Sequence, residues 1–332
     1  MTAAATPPSR RRRLFRSNRR VPPTLFLFPV PALVLYVTFF VIPTLQTFQY
    51  STTNWNGYSA DYDVLGLANF QRALTGDLLF TNALTNNLKF MVVVVVGQTV
   101  LGLLLAVLLV RNTRTNIVLR ALYFFPTILS SVSVGFIWKF VYEYRGAAQE
   151  QIGLLNAIIT SLGFEPVRFL QDSPLNTFFL IVVMIWIQAG FAMVLLSAAI
   201  KAIPSDIVEA ARLDGVGPWQ MFRSITVPSV RPTLVVVLTT IIIATLKIFD
   251  IPRTMTGARF DTQVLANLMY DQSFTFGNNG IGSALAVMIF VLVIPVVVIP
   301  HFTIRTYVDI ARQSASGDVF GWPVTNGDRT FY

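Results

Sequence analysis

Residues 89–110, KFMVVVVVGQTVLGLLLAVLLV, carry one charged side chain in twenty-two. A bilayer core is crossed by roughly 20 apolar residues rising about 1.5 Å each, so this run is long enough to span one. Five further runs share the property, at 24–46, 117–141, 176–199, 232–252 and 281–304. The 54% hydrophobic and 12% charged composition exceeds what a water-soluble core requires. The expected fold is therefore an all-α integral membrane protein with six transmembrane helices. The first run is too long for the apolar part of a secretory signal and lacks a small-x-small cleavage site, so it reads as a retained span. There is no cysteine and one histidine, which excludes disulfides, thiol nucleophiles and a multi-histidine metal site within one chain.

Orientation follows from the basic residues. With the N-terminus placed in the cytoplasm, 17 of the 25 Lys and Arg fall on that side, and ten of the sixteen acids fall on the other. Both termini and the loop between spans 4 and 5 are then cytoplasmic, in a multi-pass protein of the cytoplasmic (inner) membrane. The chain divides into a basic N-terminal segment, 1–23, a membrane domain, 24–305, and a polar tail, 306–332. The run RRRRLFRSNRR at 10–20 reads as a topological flank against anionic lipid headgroups, with no nucleic acid as partner.

The loop at 200–231 is neither apolar enough to span nor loose enough to be a linker. Pro204 and Asp206 supply a helix start, and Glu209, three residues after Asp206, has capping-box spacing. The helix should run from about 206 to 213 and stop at Asp214-Gly215, where glycine can adopt the left-handed conformation. Pro218 is placed to begin a second helix, with Trp219, Phe222 and Ile225 as its apolar stripe. The expectation is a helix-turn-helix plug, either lying among headgroups or docking a protein. The mixed charges of Glu209 and Asp214, beside the small Ala210-Ala211 pair, favour docking.

The spacing Glu209-Ala210-Ala211, three residues, Gly215, nine residues, Ile225, two residues, Pro228 resembles the EAA signature of the transmembrane subunits of bacterial ABC importers. LGLANFQRAL at 65–74, FTNALTNNLKF at 80–90, LKIFDIP at 246–252 and GIGSALAVMIF at 280–290 are similar to the carbohydrate-importer permeases of the maltose and glycerol-phosphate type. The resemblance covers about 24–305 and departs at 255–261, MTGARFD, where the family has a glycine-rich turn. It implies that the loop is a coupling helix seated in a cytoplasmic ABC ATPase dimer. Glu209 would be its polar anchor, Gly215 its turn, and Trp219, Phe222 and Ile225 its apolar contact. It also implies a second permease subunit, an extracytoplasmic solute-binding protein and a sugar cargo. No cofactor is expected in this chain: it has no GxxxxGK[ST] loop, and ATP and Mg would be bound by the ATPase. A membrane scaffold or passive channel that docks a cytoplasmic partner is the competing reading.

Polar residues near the bilayer midplane are pathway candidates or interhelical hydrogen bonds. Gln98, Ser130, Ser131 and Gln188 lie at that depth, with Trp186 close to Gln188 in sequence. Lys247 and Asp250, three apart near the outer end of span 5, can face the same way and read as a charge pair in the pathway if buried or, the favoured reading, as an interfacial ion pair if exposed.

Overall fold

A computed structural model describes residues 27–75, 78–146 and 149–316. The basic segment 1–23, Asp77 and the end of the tail beyond 316 lie outside the described residues. The chain divides into two units, 1–46 and 47–332. In the first, helix α1, Val30–Tyr50, begins and runs across the boundary with no buried residue along it.

In the second unit, four helices are long and apolar enough to cross a membrane: α3 (Leu78–Leu108), α7 (Leu175–Lys201), α9 (Pro218–Leu246) and the leading part, Asn279–Ile299, of α12 (Asn279–Ser316). Shorter helices join them: α2 (Ala68–Thr75), α4 (Arg114–Ile128), α5 (Ser131–Val141), α6 (Leu154–Ser161), α8 (Ser205–Leu213), α10 (Asp250–Thr256) and α11 (Leu265–Tyr270). The all-helical expectation holds, and the count is six when α4 and α5 are taken as one broken span.

Two spans depart from their expected form. The third is not straight: α4 and α5 meet at 101°. Pro126 removes one main-chain donor in the last turn of α4, and Leu129 and Ser130 are extended. Hydropathy runs on unbroken through this point, which is why the sequence shows no interruption. The fifth was expected to reach 252, but α9 ends at Leu246 and α10 starts afresh at Asp250. The sixth continues as helix beyond 305, into what the sequence presents as a tail.

Helix α7 is the most enclosed of the spans and touches α3, α4, α5, α9 and α10. The core forms where Leu180, Val183, Met184 and Leu196 meet Phe90 and Val94 of α3 and Val237 and Ile241 of α9. Glycines allow the close approaches. A side chain at Gly190 would run into the Tyr123 carbonyl of α4, and a Cβ at Gly102 would lie 2.6 Å from that of Ala192.

Non-helical backbone at membrane depth is tolerated only where its polar groups find partners. At the break after α9, buried Asn87 of α3 donates to the carbonyls of Thr245 and Leu246 and accepts from Leu265 N–H. Asn267 donates to the Phe249 carbonyl.

Candidate functional site

Three features of the second unit bear on function: the exposed loop between α7 and α9, a cavity enclosed where the two broken spans meet, and a larger cavity at the opposite end of the bundle from the loop.

The loop folds as the spacing predicts in its first half. After α8, Gly215 takes φ +75°, its N–H bonds to the Arg212 carbonyl at 3.1 Å, and Val216 N–H bonds to the Ala211 carbonyl at 3.0 Å. That pair of reversed bonds is a Schellman stop, satisfying carbonyls that the helix end leaves free. Ala211 alone on α8 is buried; Glu209, Ala210 and Asp214 are exposed, and Leu213 is 89% exposed. The expected capping box does not form: Pro204 is the N-cap with no side-chain bond, and Ser205 turns to Asp206 instead.

The second half differs more. Pro218 does begin a helix, but it continues without interruption as α9, so there is no separate plug helix. A π turn at Phe222–Thr226 adds a residue to the repeat, which removes the regular stripe expected of Trp219, Phe222 and Ile225. Trp219 is 71% exposed with its ring 5.6 Å from that of Phe222, while Phe222, Ile225 and Pro228 are half-buried.

The inner cavity, about 290 Å³, is lined by Ser131, Met184, Ile187, Gln188, Ala244, Lys247, Phe249 and Asp250 among others. It brings together the start of α5, the middle of α7 and the gap between α9 and α10. Of the five pathway candidates, Ser131 and Gln188 line it. Gln98 is fully buried and donates to the Gln188 main-chain carbonyl at 3.0 Å, a bond between helices and not a wall of the cavity. Trp186 lies away from Gln188 and packs edge-on to Trp138 at 5.6 Å, as two residues' separation on a helix requires. Ser130 is the N-cap of α5 and lines no cavity found among the described residues.

Lys247 and Asp250 overturn their expectation. They form no ion pair, because the helix that would have stacked them breaks between them, and both instead face the inner cavity. Neither side chain makes a hydrogen bond among the described residues. No group of three His, Cys, Asp or Glu able to hold a metal ion occurs among the described residues.

The outer cavity, about 770 Å³, lies beyond the far ends of α5 and α10. One wall is 255–261, the stretch that departs from the glycine-rich family turn. Ala258, Phe260 and Asp261 all take φ between +55° and +59°, a region costly to residues with a Cβ. Asparagines hold them there: Asn176 donates to the Phe260 carbonyl, Asn82 to the Asp261 carboxylate, and Asn86 to the Asp261 and Gln263 carbonyls. In another part of the wall, Arg253 pairs with Asp271 at 2.7 Å and lies over the Tyr270 ring.

Sequence reasoning missed Arg120, counted only as a topological charge. It reaches across to donate to the carbonyls of Leu109, Val110 and Arg111, capping the end of α3. The asparagine clamps were missed too; Asn82, Asn86 and Asn87 occur at helical spacing just ahead of the apolar run of α3, which is their sequence signal.

Comparison with known proteins agrees with this geometry. Residues 98–304 match the family described as binding-protein-dependent transport system inner membrane component. The osmoprotective compounds uptake permease protein GgtC of Synechocystis is 44% identical, the match covering 82% of this chain and 95% of that one. The alpha-glucoside transport system permease protein AglF of Rhizobium meliloti is 43% identical over 82% of this chain and 80% of that one. The fold is that of a chain in the solved structure of a bacterial alginate ABC transporter in complex with its alginate pentasaccharide-bound periplasmic protein. There the TM-score is 0.72 at 21% identity, over 86% of this chain and 94% of the other. The matched span takes in the exposed loop after α7 and both breaks that border the inner cavity, and the chain belongs to the family of inner-membrane permease components of binding-protein-dependent transport systems.

Proposed function

We propose that this chain is one of two permease subunits of an ATP-driven importer whose cargo is a sugar or sugar-derived osmolyte. The observation that carries the reading is the loop at 205–228. It has the EAA spacing, ends in a Schellman turn at Gly215, and leaves Glu209, Leu213 and Trp219 exposed among the described residues. Exposed apolar side chains beside a carboxylate suit a cleft in another protein better than they suit water. That protein is a cytoplasmic ATPase dimer, with ATP and Mg bound there and both termini of this chain on the same side of the membrane. The sugar class rests on the relatives, AglF for alpha-glucosides and GgtC for osmoprotective compounds.

The inner cavity supplies the pathway. Gln188, Ser131, Lys247 and Asp250 offer it an amide, a hydroxyl and two charged groups, and the hydroxyls of a polyhydroxylated cargo can accept from Lys247, donate to Asp250 and do either with Gln188 and Ser131. Transport then proceeds by rocking of the spans about this chamber, with solute delivered from outside by a binding protein. A scaffold has no need of polar groups converging at the junction of two broken spans, and a passive channel has no need of the exposed loop after α7.

The test is mass spectrometry of what co-purifies with the tagged chain in mild detergent, followed by ATPase assay of the recovered complex. A phosphate-loop ATPase and a second permease are expected with the wild type, and Glu209→Ala should lower ATPase stimulation by binding protein and sugar at least fivefold. Recovery of the chain without any ATPase would refute the importer.

A further inference from the structure

We propose that the outer cavity is a second carbohydrate-binding station, specific for neutral saccharides and filled before the inner chamber. The inference rests on the sugar reading above and adds to it a site on the far side of the α5–α10 pair.

Volume is the first argument. At about 770 Å³ the cavity is more than twice the size of the inner one and within the roughly 300–1,000 Å³ of small-molecule sites. The second is chemistry that the protein itself leaves uncommitted. Lys139, Glu143, Gln171 and Arg259 line the cavity, and none of their side chains makes an ion pair or hydrogen bond among the described residues. Lys139 and Glu143 are four apart at the end of α5, yet they do not pair. Arg253 and Asp271 neutralise each other in the wall, so what faces the space is two cations, one carboxylate and an amide. A polyanion would meet Glu143 and a polycation would meet Lys139 and Arg259. A neutral sugar, each hydroxyl both donor and acceptor, satisfies all four.

Aromatic faces complete the set. Tyr144, Phe260 and Phe276 present rings to the same space, and Tyr142, buried against Phe169 and Phe179, backs them. Arg168 lies 5.2 Å from the Tyr144 ring centre, fixing that ring. Burial pushes the Tyr142 hydroxyl, just past the end of α5, up to about 12, so it remains a neutral phenol at any physiological pH. Flat apolar rings beside hydrogen-bonding groups match the two kinds of surface on a pyranose.

The position gives the site its role. Helices α5 and α10 run side by side, with Ser131 and Asp250 at the inner cavity and Lys139 and Thr256 at the outer one. The eleven residues of α5 measure about 16 Å, so the two stations are separated by about the length of that one short helix. A saccharide released outside meets the larger, mixed-charge station first and reaches the smaller one when that pair moves.

The experiment uses the complete complex of this chain with its second permease, ATPase and binding protein in lipid nanodiscs and proteoliposomes. Tritiated maltose, trehalose and sucrose are screened for ATP-driven uptake, and transported sugars are photo-crosslinked to Phe276→p-benzoylphenylalanine in the outer cavity and to Phe249→p-benzoylphenylalanine in the inner one. Sugar label at both positions is expected. In the double variant Glu143→Gln/Arg259→Gln, label at 276 should fall about tenfold relative to label at 249, and the KM for uptake should rise five- to tenfold. Label at 249 alone, or label at 276 indifferent to the double variant, overturns the outer station while leaving the cargo reading intact. Crosslinking of 276 to a protein subunit in place of sugar also overturns it, making the cavity a docking cleft. Failure of all three sugars in uptake and in both crosslinks overturns the cargo reading and the outer station with it.

Discussion

At the scale of single residues, the buried asparagines show how a helix can be broken inside a membrane. Asn87 answers two carbonyls and one N–H at the end of α9, with no alternative partner in hydrocarbon. Replacing it by the similarly sized Asn87→Leu leaves those groups unpaired, which costs about 1–3 kcal/mol, and should lower the detergent thermal midpoint well below that of an Asn82→Leu control. The opposite sign is expected at Ala258. Its left-handed backbone is of the kind that costs an L-residue roughly 1–2 kcal/mol, so Ala258→Gly should raise the midpoint, with circular dichroism melts as the measure.

Elements were legible in the sequence in proportion to how local their causes are. Helix α8 and its stop at Gly215 follow from propensity and turn chemistry within ten residues, and the structure puts both within a residue of expectation. The bend between α4 and α5 does not, because hydrophobicity reports length and not direction, and what turns the chain is one proline and two extended residues packed on α7. Gln98 illustrates the same limit: its partner is a main-chain carbonyl ninety residues away, which no spacing rule reaches. Ser131 and Gln188 line the inner cavity at the depth the sequence assigns them, whereas the pairing favoured for Lys247 and Asp250 fails because their helix was assumed continuous. The α5–α10 contact makes its own prediction. A Cβ on Gly135 would lie 2.8 Å from that of Thr254, so a shift of about 1 Å brings a cysteine pair to disulfide distance. In a chain with no other cysteine, Gly135→Cys/Thr254→Cys should oxidise to a crosslink that abolishes uptake and is reversed by dithiothreitol, read by maleimide mass-tagging.

For the whole molecule, the absence of cysteine also makes topology directly measurable. Leu213, 89% exposed in the loop, and Tyr58, 91% exposed before α2, lie on opposite sides in the proposed orientation. A membrane-impermeant maleimide added to intact cells stripped of their outer layer should label Tyr58→Cys and spare Leu213→Cys until the membrane is opened. The reverse pattern would invert the chain in the membrane and remove the ATPase from reach of the loop. The family assignment needed no structure, since the EAA spacing stands in the sequence, whereas the two cavities needed one, because each is assembled from segments more than a hundred residues apart.

Helix α9 makes one more point about the molecule as a machine. It starts at Pro218 beside the exposed Trp219 and ends at Leu246, one residue short of the Lys247 that faces the inner cavity, a shaft of 29 residues and about 43 Å. The π turn and the two prolines, Pro228 and Pro232, sit in its first half and leave it unbroken. A tilt of about 5° imposed at the Trp219 end therefore sweeps the Lys247 end through about 4 Å, more than the width of a water molecule. In the proposed importer this helix would act as a connecting rod, with one end out where the ATPase grips it and the other beside the load.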